Sequence, residues 1–297
     1  MKKEKKMSTY KRSGIFFFAA CVIIPIIHFC VFWIGTNANS FVLAFQSKEK
    51  FSLEWFELSF EELFSGKSTL AEGLKNTLII FALNNLLIFP FSVIFSYFLY
   101  KKIVLYKFYR VVFFLPSIIS VVVFVTLYMN ILNGPVSELM QKTFRMKNEP
   151  LLLDSEKYAL RSVLMYIVWV GLASNMVIYC GTMSRVPTEV LESGRIDGLG
   201  YFGELIHIVV PLIWPTLSVL ILLAMVGVFN ADGPILLMTQ GRHGTYTIAY
   251  WIFERTKGTN TNLNYGAAVG LTFTVFSVPI ALVSRWLINR IDSSVEY

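Results

Sequence analysis

Charge is what this 297-residue chain has least of. Only 15% of its residues are Asp, Glu, Lys or Arg, where a soluble domain carries about 25%. That scarcity excludes an ordinary water-soluble fold, whose surface needs charge. Cysteine is scarce as well. Cys21, Cys30 and Cys180 all lie inside apolar runs, and none forms a C-x-x-C pair. Neither a disulfide framework nor a thiolate metal site is indicated, and the three read as small packing residues in helices. His28, His207 and His243 are scattered, with no H-E-x-x-H and no local carboxylate cluster. A membrane enzyme would need a nucleophile, base or metal cluster, and none is recognisable. A nucleotide loop is also missing. Gly66-Lys67-Ser68-Thr69 invites that reading, but the position five residues before Gly66 is Glu61, not glycine. No buried strand precedes it either. The chain is therefore expected to bind no ATP, metal or other cofactor by itself. No repeat of 20–50 residues and no low-complexity segment is visible.

What is there is apolar. The chain is 55% hydrophobic with a mean hydropathy of +0.61, which points to an all-α integral membrane protein. The basic segment 1–14 carries Lys2, Lys3, Lys5, Lys6, Lys11 and Arg12. A first span is expected over 15–34, long enough to cross ~30 Å of hydrocarbon. A cleaved signal peptide would have a shorter apolar core ending in small residues, so an uncleaved helix is the better reading. Residues 35–75 mix Trp55, Phe56, Phe60 and Phe64 with Glu54, Glu57, Glu61 and Glu62. They are expected to lie as short amphipathic helices on the membrane surface. A core domain over 76–290 follows, with spans at 76–100, 111–132, 160–183, 208–230 and 267–288. A tail, 291–297, closes the chain.

Six spans put both termini on one side. The N-terminal lysines, Lys101, Lys102, Lys107, Arg110, Arg185, Arg195, Arg285 and Arg290 share that side. The positive-inside rule makes it the cytoplasm. The net charge of +7 is thus a matter of topology, and no nucleic-acid partner is implied.

One connection is unlike the others. Segment 184–207 is cytoplasmic by parity and holds Gly194, Gly198, Gly200 and Gly203 within ten residues. Pro187 and Thr188 suggest a helix start, with Thr188 as N-cap. Glu189 and Glu192 fall in the first turn, where the helix dipole favours acids. Leu191 and Ile196 offer apolar contacts. Asp197-Gly198 is a turn signal, a second short helix is expected from Tyr201, and Pro211 marks the return to the membrane. The product is a helix–turn–helix shaped to dock in a partner's cleft.

Glu192 through Pro211 resembles the cytoplasmic loop of bacterial ATP-binding-cassette importer permeases. That pattern is E-A-A, three residues, G, nine residues, I, one residue, L-P. Glu192, Gly198, Ile208 and Pro211 stand on its spacing, with Asp197 in the frequent Asp-Gly pair. Ser193 and Gly194 replace the two alanines, Leu199 a small residue, and Val210 the leucine. Losing both alanines predicts a weaker helix and looser packing there. Further matches are Lys75-Asn-Thr-Leu78, Arg110-Val-Val-Phe-Phe-Leu-Pro116, Trp169-x-Gly171 and Tyr265-Gly-Ala-Ala268. These point to the sugar-importer branch and its maltose-type first permease. Thr239-Gln240-Gly241-Arg242 matches the T-x-G-G-P of that branch only in part.

The resemblance implies a mechanism and partners. A second permease, two cytoplasmic ATPases that bind ATP and Mg, and an extracytoplasmic solute-binding protein would assemble with this chain in the bacterial cytoplasmic membrane, amid lipid. Glu189, Glu192, Arg195, Asp197, Gly198, Ile208 and Pro211 would form the ATPase-coupling element. Polar groups in spans often line a water-filled path. Candidates for solute contact are Asn84, Asn85, Ser174, Asn175, Asn230 and Asp232, with Trp169 and Tyr179 beside them; interhelical hydrogen bonding is the competing explanation. The sugar-importer branch implies an oligosaccharide or other carbohydrate as solute, with a non-sugar solute such as a polyamine, phosphate ester or peptide as the alternative. An ion-coupled carrier is the rival class. It should have repeated halves, broken helices or buried ionisable pairs, and none is apparent in the sequence.

Overall fold

In the computed structural model the described residues are 14, 17–47, 50–144, 152–230, 233–257 and 261–292. The basic residues 1–13, Asp232 and the end of the tail lie outside them. Among the described residues, six helices are long and apolar enough to cross a membrane. Helix α1 is Phe17–Ala44. A two-residue antiparallel hairpin, β1 (Gln46–Ser47) and β2 (Lys50–Phe51), leads to α2, Glu54–Ser65. Then come α3 (Thr69–Tyr100), α4 (Tyr106–Ile118), α5 (Val121–Thr143) and α6 (Ala159–Met183). The loop helix α7 is Thr188–Ile196. Helix α8 is Tyr201–Val226, followed by the short α9 (Ile235–Met238), α10 (Ile248–Lys257) and α11 (Leu263–Asp292).

Helices dominate because an apolar solvent cannot satisfy backbone N–H and C=O groups. Proline breaks that economy by removing a donor, and the chain answers with wide turns. The N–H of Phe89 reaches back five residues to the Asn84 carbonyl, just before Pro90. The N–H of Val210 does the same to Leu205, just before Pro211. Helix α3 and helix α8 therefore continue through these sites instead of stopping. At Pro116 the outcome is different. The helix ends at Ile118, and Ile119 and Ser120 are extended before α5 starts. The third span expected at 111–132 is thus two helices, and α5 continues into the segment expected to be polar loop. A broken helix, absent from the sequence reading, is present here.

Other boundaries shift for similar reasons. Helix α1 runs ten residues past Ile34 because Gly35–Ala44 packs on α11. Gly66-Lys67-Ser68-Thr69 is a stop and a start. Gly66 closes α2 with φ +65°, and the Ser68 hydroxyl accepts the Ala71 N–H at 3.1 Å to cap α3. Residues around 201–210, expected as a separate short helix before the membrane, are the first turns of α8 itself.

The interior has three parts. One joins α3, α4, α5, α6 and α9 around Phe124, Tyr166 and Met176. The second joins α3, α6, α7 and α8 around Tyr97, Tyr179 and Ile213. The third joins α2, α3, α10 and α11 around Trp251, Tyr265 and Phe273. Elsewhere large apolar side chains point outward; no residue in the apolar window of α1 is buried. A bilayer is the solvent this surface fits. Gly171 explains one close contact: a Cβ there would meet Ile88 at 3.0 Å, so α6 approaches α3 at a bare backbone.

Far from α7, the start of α3 grips the segment after α9. The Asn76 amide donates to the carbonyls of Gly244 (3.0 Å) and Tyr246 (2.8 Å). Thr77 accepts the Ile248 N–H at 3.0 Å, and Glu72 accepts the Tyr246 N–H at 3.2 Å. Trp251 donates to Thr69 at 3.1 Å. A Cβ on Gly73 would lie 3.2 Å from the Thr247 backbone. Gln240, Gly241, His243 and Gly244 all have positive φ, so this segment is held in a shape it would not choose alone. The Tyr246 hydroxyl, pushed up to about 12 by burial and then by its bond to Glu254, stays protonated and donates. The Asn-Thr of Lys75–Leu78 thus serves as a clamp. Replacing the buried Asn76 with Ala strips two partly buried backbone carbonyls of their donor. It should lower stability by roughly 1–3 kcal/mol and make residues 239–247 the first site of limited proteolysis; thermal unfolding in detergent measures the first effect.

Candidate functional site

The site is the α7–α8 corner. Pro187 is extended before α7, and Thr188 is the first helical residue rather than the cap. No side chain caps this start, because Pro187 occupies the cap position and its ring offers no acceptor; the preceding Arg185 and Val186 N–H groups donate to Thr182 and Met183 at the end of α6. The other end is fully closed. The Leu199 N–H bonds to the Gly194 carbonyl and the Gly198 N–H to the Arg195 carbonyl, both at 3.0 Å. This is the Schellman pattern, which needs a left-handed residue at the second position past the helix. Gly198 supplies it with φ +84°. Asp197-Gly198 is therefore the turn, and α8 begins at Tyr201 after an extended Gly200.

Packing at Gly194 is tight, contrary to the looseness expected from the missing alanine. Gly194 is buried, and a Cβ there would sit 2.4 Å from the Ile208 Cδ1 and 3.3 Å from the Leu199 Cδ1. Ile208 fills the space an alanine methyl would use. Leu191 points inward beside Tyr97, Tyr179 and Met183. Ile196 does the reverse and is 86% exposed. Val190, Tyr201, Phe202 and Ile206 are exposed too, as are Glu189, Glu192 and Asp197. One flank of α7 is thus sunk in the bundle while the other is free. Pro211 is half-buried and follows the wide turn.

Electrostatics hold the corner in place. The Glu204 carboxylate is buried, with 2% of its side chain exposed, and forms an ion pair with Lys101, itself 7% exposed. Arg195, 55% exposed, reaches the same carboxylate with its Nε at 3.4 Å. The Lys101 ammonium lies 5.5 Å from the Tyr97 ring centroid. Phe98 and Phe202 meet edge-on at 6.0 Å. In the sequence Glu204 is one acid in segment 184–207 and Lys101 one of the basic residues assigned to the same side, and nothing along the chain marks the two as a buried pair. The available hint was a single acid wedged against Leu205 and Ile206. Arg195 is placed within the chain's own corner by this contact.

The candidates for solute contact do not converge. Asn230 lines a cavity of about 390 Å³ with Asn37, Ser40, Thr256, Thr274 and Ser277, between α1, α10 and α11. Asn84 faces α6 beside Gly171, whereas Asn85 donates within its own helix, to the Phe81 carbonyl at 2.9 Å. Trp169 packs edge-on to Phe124 at 5.0 Å. Tyr179 is fully buried against Phe89. Ser174 is exposed and Asn175 half-buried on α6.

A family model described as "Binding-protein-dependent transport system inner membrane component" matches residues 88–297. The chain belongs to this family. It is a multi-pass subunit of a transport system in the cytoplasmic membrane, not an enzyme. Among curated relatives, "Probable ABC transporter permease protein YurN" of Bacillus subtilis (strain 168) is 24% identical over 88% of this chain and 92% of its own length. The "Polygalacturonan/rhamnogalacturonan transport system permease protein YteP" of the same organism is 26% identical over 84% and 79%. Among solved structures, a chain of a bacterial ABC transporter involved in import of the acidic polysaccharide alginate superposes with a TM-score of 0.81. It has 19% identity and the match covers 97% of this chain and 99% of that one.

The Gly194–Ile208 contact can be tested as a pair. Gly194→Ala gains helix propensity of about 1 kcal/mol but overpacks against Ile208 at a cost of roughly 1–3 kcal/mol. The single change should be neutral or destabilising. In an Ile208→Val background, which removes the Cδ1 methyl, the same change should stabilise; a double-mutant cycle of thermal unfolding in detergent reads the difference.

Proposed function

We propose that this chain is one of two non-identical permease subunits of an ATP-driven importer for an oligosaccharide or related carbohydrate. In this reading the chain termini and α7 face the cytoplasm, in line with the charge asymmetry of the loops. Two ATPase subunits bind ATP and Mg and receive the free flank of α7. An extracytoplasmic binding protein delivers the solute at the opposite face. The observation that carries the reading is α7 itself: a short helix on the family spacing, closed by Gly198, with one flank packed in the bundle and the other bare. The bare flank combines Ile196 and Val190 with Glu189 and Glu192, a mixture of apolar grip and acid suited to a partner cleft with basic groups. Closure of the ATPases would move α7, and the bundle attached to it would open outward; hydrolysis would reset it. Coupling then rests on Glu189, Glu192, Asp197 and Gly198 at the docking flank, and on Ile208 and Pro211 at the root of α8.

Carbohydrate is the favoured solute because curated relatives carry such names: polygalacturonan/rhamnogalacturonan, galactooligosaccharides and maltodextrin. The described candidates in the spans are amides, hydroxyls and aromatic rings, a chemistry that suits hydroxyl-rich rings. Two features bear on the rival carrier: the break at Ile119–Ser120 and the Lys101–Glu204 pair. Carrier breaks occur as a matched pair around mid-membrane sites. This break has no counterpart among the described helices, and the ion pair lies at a bundle end.

Gly198→Val separates the two readings. Nothing lies within 4 Å of a Cβ at Gly198, so the substitution adds strain of about 1–2 kcal/mol without a clash. The variant should insert and assemble, keep hydrolysing ATP, and take up solute at a rate lower by about tenfold. Full-rate uptake would refute the coupling role of α7. Affinity purification of the wild-type chain from native membranes should also bring down an ATPase and a second permease. A chain recovered alone in active form would favour the carrier.

A further inference from the structure

We propose that Glu204 is a positioning residue: its carboxylate clamps the end of α3 to the coupling helix, so that α3, α7 and the start of α8 move as one body. The inference rests on the reading of α7 as the ATPase-coupling helix and goes beyond it, because it adds a charged tie to α3 beside the covalent links of α7 to α6 and α8 and the apolar packing of Leu191.

Three observations meet at this carboxylate. Lys101 closes α3, its N–H bonded to the Tyr97 carbonyl at 2.9 Å; a cation there complements the negative end of the helix dipole. Glu204 stands in the first turn of α8, where the dipole favours an anion. The pair thus joins the C-terminal end of one span to the N-terminal end of another, each charge stabilised by its own helix. Arg195, in the last turn of α7, reaches the second carboxylate oxygen at 3.4 Å. One carboxylate therefore ties three segments. Its burial makes the tie stiff. A carboxylate in an apolar setting is tolerated only with its partners in place, so separating α8 from α3 would expose an unpaired buried charge on both sides. The Phe98–Phe202 ring contact and the Tyr97 ring under Lys101 wall the pair off from water. Leu191 and the Gly194–Ile208 contact seat α7 on the bundle by apolar packing; the Arg195–Glu204–Lys101 chain adds a charged tie from α7 to the end of α3.

Spin labels test this in the assembled transporter, reconstituted in lipid nanodiscs with Cys21, Cys30 and Cys180 replaced by alanine. Labels at Thr188→Cys and Val104→Cys, both at exposed positions outside the docking flank, report the separation of α7 from the end of α3. Labels at Thr188→Cys and Phe18→Cys report motion of α7 against the start of α1. MgATP with vanadate is the trigger. In the wild-type background the second distance should change and the first should not. In Glu204→Gln the first distance should shift or broaden on adding nucleotide, on the order of 1–5 Å, whereas Glu204→Asp, which keeps a carboxylate between Lys101 and Arg195, should hold it closer to the wild-type behaviour. If Glu204→Gln does not fold, Lys101→Met with Glu204→Leu removes both charges at similar volume and should behave like it. A first distance that stays fixed in the Gln variant, or in the Met/Leu variant, overturns the clamp while leaving α7 as the coupling helix. A first distance that changes in the wild-type background overturns it as well. A second distance indifferent to nucleotide in the wild-type background overturns the coupling reading and the clamp with it.

Discussion

Every backbone N–H and C=O in an apolar slab must find its partner inside the protein. That constraint shapes this chain from end to end. It makes the spans helical, and it turns each proline into a local problem with a visible answer. Before Pro90 and Pro211 the answer is a wide turn, with an N–H reaching back five residues. After Pro116 it is a break. Where the chain leaves the helical pattern at 239–248, side chains from α3 take over the role of backbone partners. The strained loop survives because Asn76, Thr77 and Glu72 hold it, and Gly73 lets it come close.

The same economy applies to charge. A bundle with few ionisable residues can bury a carboxylate only by surrounding it with cations and helix ends that favour it. Glu204 has Lys101 on one side, Arg195 on the other, and the first turn of α8 beneath it. This is the place where α7 meets two spans: Gly198 provides the bend between α7 and α8, and the Glu204 carboxylate contacts Arg195 before that bend and Lys101 at the end of α3.

The two ends of the molecule are built differently. At the α7 end, charge and a single left-handed glycine govern the geometry. At the opposite end, hydrogen bonds and aromatic contacts (Trp251 edge-on to Tyr265, Trp55 tilted against the same ring) hold α2, α10 and the loop against α3 and α11. A cavity lined by Asn230 and the small residues Gly266 and Gly270 opens beside them. The candidates for solute contact are divided among this cavity, the α3–α6 interface and the outer face of α6, so one subunit does not gather them into a single pocket.

Composition and run length were enough to establish a helical membrane protein, since hydropathy over about 20 residues reflects the thickness of the slab. Spacing was enough for the local shape of segment 184–207: a short helix and a glycine turn are local events, encoded within a few residues of Asp197 and Gly198. Motifs such as Asn76-Thr77 were visible as patterns, yet their role was not, because their partners lie about 170 residues away. Span boundaries were misjudged at Pro116 and Pro211, where hydropathy is blind to whether a helix bends, widens or stops. The filling of Gly194 by Ile208, and the burial of Glu204 against Lys101, were decided only by the tertiary structure. Both depend on which surfaces meet once α7 folds back on the bundle, and a distance between side chains on different helices is not written in the order of residues along any one of them.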